Sequence, residues 1–445
     1  MDEGPLDGME TARRGSILFT AFEPSGDAHA APAIRALKAR DPSLRIYAWG
    51  GPKMAAAGAE IIEQTATDGA MGLGGFLKAF EVSRIIKRID RWSQGAGVRL
   101  HVPVDSPAAN FPVCRRLRRR GTKTVHLVGP QMWAWGGWRV KKLRRLTDLV
   151  LCLLPFEEGW FEDRQVPARY IGHPVIAKKI DQAEIAEQLQ RFPSGSPRIL
   201  ILPGSRSGEI AANLRHQLKA FDEIRGRFRQ AEAIILAAND RIAQRIHRRI
   251  GTIPPNVHIA TDRLEAAISW ADLAFATSGT VSLDLTRQGT PLVGSYAIGP
   301  LQLLIASIFV RAPYKLLPNI VAGEQVVPEF VPYLSWLGAR PIASAAFGLL
   351  EDASQLKRAG RALELVRDSF GEHRPDDEAA ESILSVFDGG RGVPRDDWDR
   401  DAPSAKAVSL PELEADPESP PVRSHASRAR GFSPRAVDLE KRRKP

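Results

Sequence analysis

Two cysteines in 445 residues, Cys114 and Cys152, are too few for a disulfide framework, and nothing around them has the spacing of zinc ligands. Such sparse usage fits a reducing cytoplasm. Long apolar runs are also missing. The most apolar stretch, LQLLIASIFV at 301–310, is half of the roughly 20 residues that a spanning helix needs, and the opening MDEGPLDGMETARRGS lacks the apolar core of a secretory signal. Any membrane contact is therefore expected from one side. No GxxxxGK[ST] loop is present, which argues against an ATPase. Acidic side chains are absent from Ser106 to Thr147, a span that carries eleven Lys and Arg. With a formal net charge of +10, this favours an anionic partner without naming it.

What is present is an alternation. Apolar runs at 17–22, 45–50, 98–105, 124–129 and 148–155 are separated by helical patterns such as 76–92 and 110–120. After SGSP at 194–197 the series restarts with RILILPG, a helix from about 209 to 229, AEAIILAAN, NVHIA, ADLAFATSG and PLVGSYA. Strands alternating with helices imply parallel sheets covered on both faces, so two Rossmann-type α/β domains are expected, facing each other across a cleft. The expected division is a mobile extension at 1–15, a first domain at 16–175, a second at 176–340, helices at 341–388 and a tail at 389–445. From Arg391 the tail holds twelve Lys/Arg against ten Asp/Glu and few apolar residues, a composition expected to remain disordered.

Ligands bind open α/β sheets at the carboxyl ends of the strands, so the loops there are the candidates for chemistry. In the second domain LPGSRSGEI places Gly204, Ser205, Arg206 and Glu209 between a strand and a helix. Backbone amides at such a helix start can hold a phosphate, and a guanidinium adds a fork for a diphosphate; an ordinary helix cap is the alternative. A second turn of this kind, TSGTVSLDL, offers Ser278, Gly279 and Thr280, with Asp284 one helical turn later as a ribose partner or simply an exposed carboxylate. In the first domain FEPSGDAHA carries Glu23, Ser25 and Asp27, which would suit either a site or a helix cap. Asp105 ends a strand in VPVDSPAANF, where a carboxylate facing a cleft suits a general base. GPQMWAWGGWRVKKLRR then puts Trp133, Trp135 and Trp138 ahead of a basic cluster. Nucleic acid, an anionic membrane surface and a phosphorylated ligand all fit that pairing, as does partial burial of the rings, with Trp138 read as packing.

Collinear motifs over residues 16–387 decide among these. EPSGD, GGPKMAAAGAE, AMGL, VDSPAANF, KTVHLVGPQMWAWGGWRVKKL, TDLVLCLLPFEEGWFE, VPARYIGHPV, LPGSRSGEI, SGTVSLDL and APYKLLPNIVAGEQVVPEF resemble the lipid-A-disaccharide synthases, glycosyltransferases of the GT-B type. The resemblance implies an inverting transfer of 2,3-diacylglucosamine from UDP to 2,3-diacylglucosamine 1-phosphate. It implies catalytic roles for Asp105, Glu23 and Asp27, with Asp105 as the base. UDP-sugar binding would fall to Gly204, Ser205, Arg206, Glu209, Ser278, Gly279, Thr280, Asp284 and Asn319. The acceptor or membrane side would use Ser25, Met71, Asn110, Trp133 and Trp135. No metal or cofactor is implied. The expected partners are UDP-diacylglucosamine, diacylglucosamine 1-phosphate and the anionic inner-membrane surface, met peripherally from the cytoplasm; a homodimer is left open, and nucleic acid is not expected.

The chain also departs from the family pattern. Family members usually read D-x-P-D-F-N where this sequence has Asp105, Ser106, Pro107, Ala108, Ala109 and Asn110, so the second aspartate is missing. The usual glutamate of the ribose loop is the shorter Asp284. Retention of Asp105, Arg206 and Glu209 favours an active transferase. A catalytically silent relative that binds UDP-sugar or lipid as a scaffold is the alternative.

Overall fold

Strands such as SILFT and LVLC are buried along their whole length, because a strand sandwiched between two helical layers leaves neither face in water. The computed structural model describes residues 15–66, 75–298, 313–334 and 338–389, all within one compact unit. The expectations for residues 1–14, for AMGL with Met71, for the apolar run 301–310 and for the tail beyond 389 lie outside the described residues.

The first sheet has seven strands: β1 (Ser16–Thr20), β2 (Arg45–Gly50), β3 (Glu60–Gln64), β4 (Val98–Pro103), β5 (Lys123–Leu127), β6 (Leu149–Cys152) and β7 (Ala168–Tyr170). Their spatial order is β3-β2-β1-β4-β5-β6-β7, every pairing parallel. The second sheet has six: β8 (Arg198–Leu202), β9 (Glu232–Ala237), β10 (Val257–Thr261), β11 (Leu273–Ala276), β12 (Leu292–Ile298) and β13 (Glu329–Leu334). Its order is β10-β9-β8-β11-β12-β13, again all parallel. Each chain path runs outward from a central strand and then crosses back to that strand's other side. The reversal lies between β1 and β4 in one sheet and between β8 and β11 in the other. At such a switch point the two loops leave the sheet in opposite directions and open a crevice.

Strands β3, β7 and β13 have no counterpart in the periodicity. They are edge strands with charged or proline-bearing sequences (EIIEQ, ARY, EFVPYL), and an edge needs only one apolar face.

The helices expected at 341–388 do not form one cap. Arg340–Leu350 buries Ile342, Ala343 and Ala346 in the second domain's core, and Leu363 of Ala353–Asp368 joins the opposite face of the same sheet. Pro375–Phe387 instead returns to the first domain, where Ala379, Ala380, Ile383, Val386 and Phe387 share a core with β1, β2, β4 and β5. Arg169 donates to the Ser382 hydroxyl at 2.7 Å, and the Tyr170 hydroxyl donates to the Phe370 carbonyl at 2.8 Å. No described helix is long and apolar enough to cross a membrane.

Candidate active site at two switch points

The first crevice is bounded by the loops after β1 and β4. Helix Pro24–Arg40 starts directly after β1, with Pro24 at a position where its missing N–H costs nothing. Glu23 precedes it in extended backbone, half-buried, and its side chain does not cap the helix. Ser25 is exposed on the first turn. Asp27 is buried, and both its oxygens are occupied by backbone: Oδ1 accepts from Gly51 N (3.1 Å) and Met54 N (2.9 Å), and Oδ2 from Lys53 N (3.0 Å). It clamps the start of helix Pro52–Ala56. The expectation of a reacting carboxylate at Asp27 is therefore corrected to that of a structural anion, because three amide donors hold the charge in place.

Asp105 follows β4 in left-handed backbone (φ 48°), and so does Ser106 (φ 39°). Two consecutive non-glycine residues in this region cost on the order of 1–3 kcal/mol each, so the surrounding structure must enforce the turn. Asn110 does so. Its Nδ2 donates to the carbonyls of Val104 (3.1 Å) and Asp105 (2.8 Å), while Oδ1 accepts from the Thr20 hydroxyl at 2.7 Å. Because that hydroxyl has spent its proton, the 2.8 Å contact between Thr20 Oγ1 and His101 Nε2 requires His101 to donate. Burial keeps His101 neutral, its pKa pushed down to about 3. A directed chain thus runs from His101 through Thr20 and Asn110 to the Asp105 backbone. Asn110, expected on the acceptor side, is 0% exposed and spends its polar atoms on holding the turn. Ala108, where the family's second aspartate usually stands, is exposed on the first turn of helix Pro107–Arg118, outside this chain of bonds.

The Asp105 carboxyl is raised above its ordinary value by burial; the Ser106 N–H opposes this, the Glu23 charge adds to it and His29 opposes it. His29 is in turn lowered by burial, with Asp105 raising it and Lys53 lowering it. His173, N-cap of Pro174–Ala177, is pushed by burial down to about 3, and His29 adds to the fall. Sequence reasoning named neither histidine. The only signals were their positions inside SGDAHA and IGHPV.

The indole stretch follows β5 in the same domain. Met132, just ahead of the first indole, is buried at 1% exposure. Trp133 is half-buried, packs edge-on to Phe156 at 5.1 Å and donates to Glu157 Oε1 at 2.9 Å. Trp135 is 46% exposed, with the Arg139 guanidinium 3.9 Å from its ring centroid. Trp138 is 79% exposed, which overturns its reading as a packing residue.

The second crevice is bounded by the loops after β8 and β11, whose ends meet where Thr277 N donates to the Leu202 carbonyl at 3.1 Å. Gly204 has φ +107°, and a Cβ there would lie 2.6 Å from Glu209, so only glycine fits. Arg206 is the residue at the N-cap position of helix Ser207–Arg227, without a side-chain cap bond of its own. Glu209 Oε2 accepts from Ser205 N (3.1 Å) and Arg206 N (3.2 Å), and Oε1 from Arg206 Nη1 (3.0 Å). A carboxylate thus already occupies amides expected to face a phosphate, and it holds the loop in an anion-accepting shape. Ser278 is half-buried; Gly279, with open space about it, and Thr280 are exposed. Tyr296, at the end of β12, was missed by the sequence reading. Its phenol is raised by burial, with Glu209 adding and Arg206 opposing, which puts it beside the same loop.

Two further residues expected at the nucleotide are engaged by internal bonds. Asn319 is 0% exposed and spends all its polar capacity internally: Oδ1 accepts from Val326 N (2.9 Å) and Val327 N (3.0 Å), and Nδ2 donates to Val327 O and Glu329 Oε2 (both 3.0 Å). Direct ligand contact is corrected to a staple that leads the chain into β13. Asp284 is nearly buried, 3.7 Å from Arg287, whose Nη1 donates to the Lys178 carbonyl at 2.9 Å. Burial pushes Asp284 up to about 6 against the pull of Arg287. This carboxylate belongs to a charge network tying helix Val281–Gln288 to the segment between the two sheets, rather than to an exposed helix face.

Among the described residues, no group of three or more His, Cys, Asp or Glu is arranged to hold a metal ion. A family model described as lipid-A-disaccharide synthetase matches residues 17–383. The lipid-A-disaccharide synthase of Serratia proteamaculans is 30% identical over 378 residues, covering 83% of this chain and 98% of that protein. That of Gluconobacter oxydans is 31% identical over 385 residues, covering 84% and 92%. Among solved structures, the UDP-GlcNAc 2-epimerase from Neisseria meningitidis bound to UDP-GlcNAc is similar with a TM-score of 0.54 at 12% identity, covering 83% of this chain and 100% of that one. A glycotransferase of kitacinnamycin is similar with a TM-score of 0.54 at 15% identity, covering 84% and 99%.

Proposed function

This chain belongs to the lipid-A-disaccharide synthase family, glycosyltransferases of GT-B architecture, and from that premise we propose that it moves 2,3-diacylglucosamine from UDP to 2,3-diacylglucosamine 1-phosphate. The observation that carries this reading is the pairing of switch points, one holding a strained and desolvated carboxylate and the other an open Gly/Ser loop at a helix start. Asp105 is the general base. Its carboxyl, raised by burial, is a stronger proton acceptor than an ordinary aspartate. It takes the proton of the acceptor's 6-hydroxyl as that oxygen bonds to the anomeric carbon. The bond from that carbon to the diphosphate breaks on the opposite face, with inversion, and UDP leaves with the electron pair. Arg206 and the start of helix Ser207–Arg227 stabilise the charge that develops on UDP. Gly204, Ser205, Ser278, Gly279 and Thr280 line the nucleotide, with Glu209 setting the Arg206 fork. Glu23 and His29 tune Asp105. Ser25 borders the acceptor, and Asp27, Asn110, Asn319 and Asp284 hold the loops in place.

The acylated substrates are met at an anionic inner-membrane surface, approached from the cytoplasm. Exposed Trp135 and Trp138 beside Arg139 and the following basic run support that face, since indole and guanidinium suit the headgroup level. A catalytically silent scaffold is the rival reading, motivated by Ala108. Purified protein supplied with both substrates decides between them: UDP release with disaccharide 1-phosphate formation is expected. Folded protein that binds UDP and releases none would establish the scaffold.

A further inference from the structure

We propose that Glu157 is a positioning residue for the tryptophan loop, its carboxylate fastening the Trp133 indole to the turn that follows β6 and so setting where Trp135 projects. The proposal rests on the acceptor-side reading of that loop. Glu157 opens helix Glu157–Glu162 and is 2% exposed, an unusual burial for a carboxylate. It is satisfied by N–H donors from two separate segments. Oε1 accepts from Trp133 Nε1 at 2.9 Å, and Oε2 accepts from Leu153 N and Leu154 N, each at 3.1 Å. The ring that it holds rests against Phe156, the residue just before it.

The rest of the loop is built to use such an anchor. Met132 plugs a core shared with Cys152 and Phe161, and Ala134 N and Trp135 N both return to the Gln131 carbonyl at 3.2 and 3.3 Å. With Met132 and Trp133 fixed, Trp135 is left outward under the Arg139 guanidinium. Remove the carboxylate and one of the two anchors of that turn is gone, while the donors of Leu153 and Leu154 are stranded in the interior.

Titration gives the tie a signature. Burial pushes Glu157 up to about 7, against the three N–H bonds that favour its charge. The other titratable groups around it are Glu158 and Glu162 on its own helix, Cys152 on β6 and Tyr170 on β7; Cys152 and Tyr170 each feel its charge. Ionised above that value it accepts all three bonds, and protonation below it weakens them. The loop should therefore tighten as pH rises through neutrality.

Hydrogen exchange on the full chain without substrates tests the tie directly, with Glu157→Gln and Trp133→Phe beside wild type. Exchange at 130–139 should quicken about tenfold in both variants, the scale of one charge-assisted bond, with the second sheet unchanged. In wild type that segment should gain protection from below to above pH 7, corrected for intrinsic rates, and Glu157→Gln should lose this step. In the transferase assay both variants should raise the acceptor KM about tenfold, with kcat and UDP affinity within about threefold. Unchanged protection in both variants overturns the proposal, and so does a fall in kcat at unchanged KM. Should Glu157→Gln not fold, Trp133→Phe removes one bond of three and carries the test. A wild type that releases no UDP would defeat the transferase reading, while the exchange data would still decide the tie.

Discussion

The two switch points use the same topology to opposite ends. Between β1 and β4 the chain holds a half-buried carboxylate in a strained turn, fixed from below by Asn110, Thr20 and His101. Between β8 and β11 the loops are exposed, Gly279 has open space around it, and the helix start is occupied by its own Glu209. In its proposed role as proton acceptor, Asp105 needs its position and basicity set before substrate arrives, and the strain and buried hydrogen bonds there would set them. A diphosphate brings its own charge. The diphosphate site proposed there needs only donors kept in shape, and the Glu209 carboxylate keeps them so in this structure.

Asp105→Asn should break the comparison most sharply. Turnover should fall by about 10²–10⁴-fold with UDP affinity unchanged, as steady-state kinetics and calorimetry would show. Wild-type kcat/KM should decline as pH falls through the raised Asp105 value, because a protonated carboxyl accepts no proton; that limb should lie above the ordinary carboxylate range of ~4. The same shift makes Asp105 a cost to folding as pH rises through that range, so Asp105→Asn should melt higher at pH 7. Equal loss of UDP affinity would mean that the two crevices do not divide the work in this way.

Arg206→Ala should have the second-largest effect. It should weaken UDP by about tenfold to a hundredfold, the 1.5–3 kcal/mol of a hydrogen bond to a charged group, and leave the Asp105 pH limb where it was. The smallest effect on affinity belongs to Asn110→Ala. It should leave UDP binding alone and destabilise the fold by about 1–3 kcal/mol in denaturant unfolding, since the carbonyl of Val104 and the Thr20 hydroxyl lose a buried partner. Turnover should fall with it as the strained turn relaxes.

The strands at the centres of both sheets were legible because burial on both faces leaves near-continuous apolar runs, as in ILFT and RILIL. The edge strands β3, β7 and β13 were not, although β10 at the fourth edge was read in NVHIA, and the parting of the C-terminal helices was not legible either. Pro375–Phe387 has an amphipathic pattern like its neighbours, and nothing in that pattern says which domain it will cover. The candidate site divides in the same way. The strand-to-helix turns at Gly204 and at 278–280 could be read because glycine and serine directly after an apolar run mark a turn, whereas the bonds of Asn110, Asn319 and Asp27, expected to serve the site, could not. Their motif positions are correct, but their side chains turn inward onto backbone.

By itself the sequence determined the layered α/β architecture, the two-domain order and the family, because hydrophobic periodicity and ordered motifs are local properties of the chain. Only the tertiary structure decided which polar residues are tied to the protein and which are left open. That choice depends on donors brought together from distant segments, as when Glu157 meets the Trp133 indole 24 positions away, or when His101, Thr20 and Asn110 join beneath Asp105. A polar side chain is committed by the partners within its reach, and reach is a property of the fold.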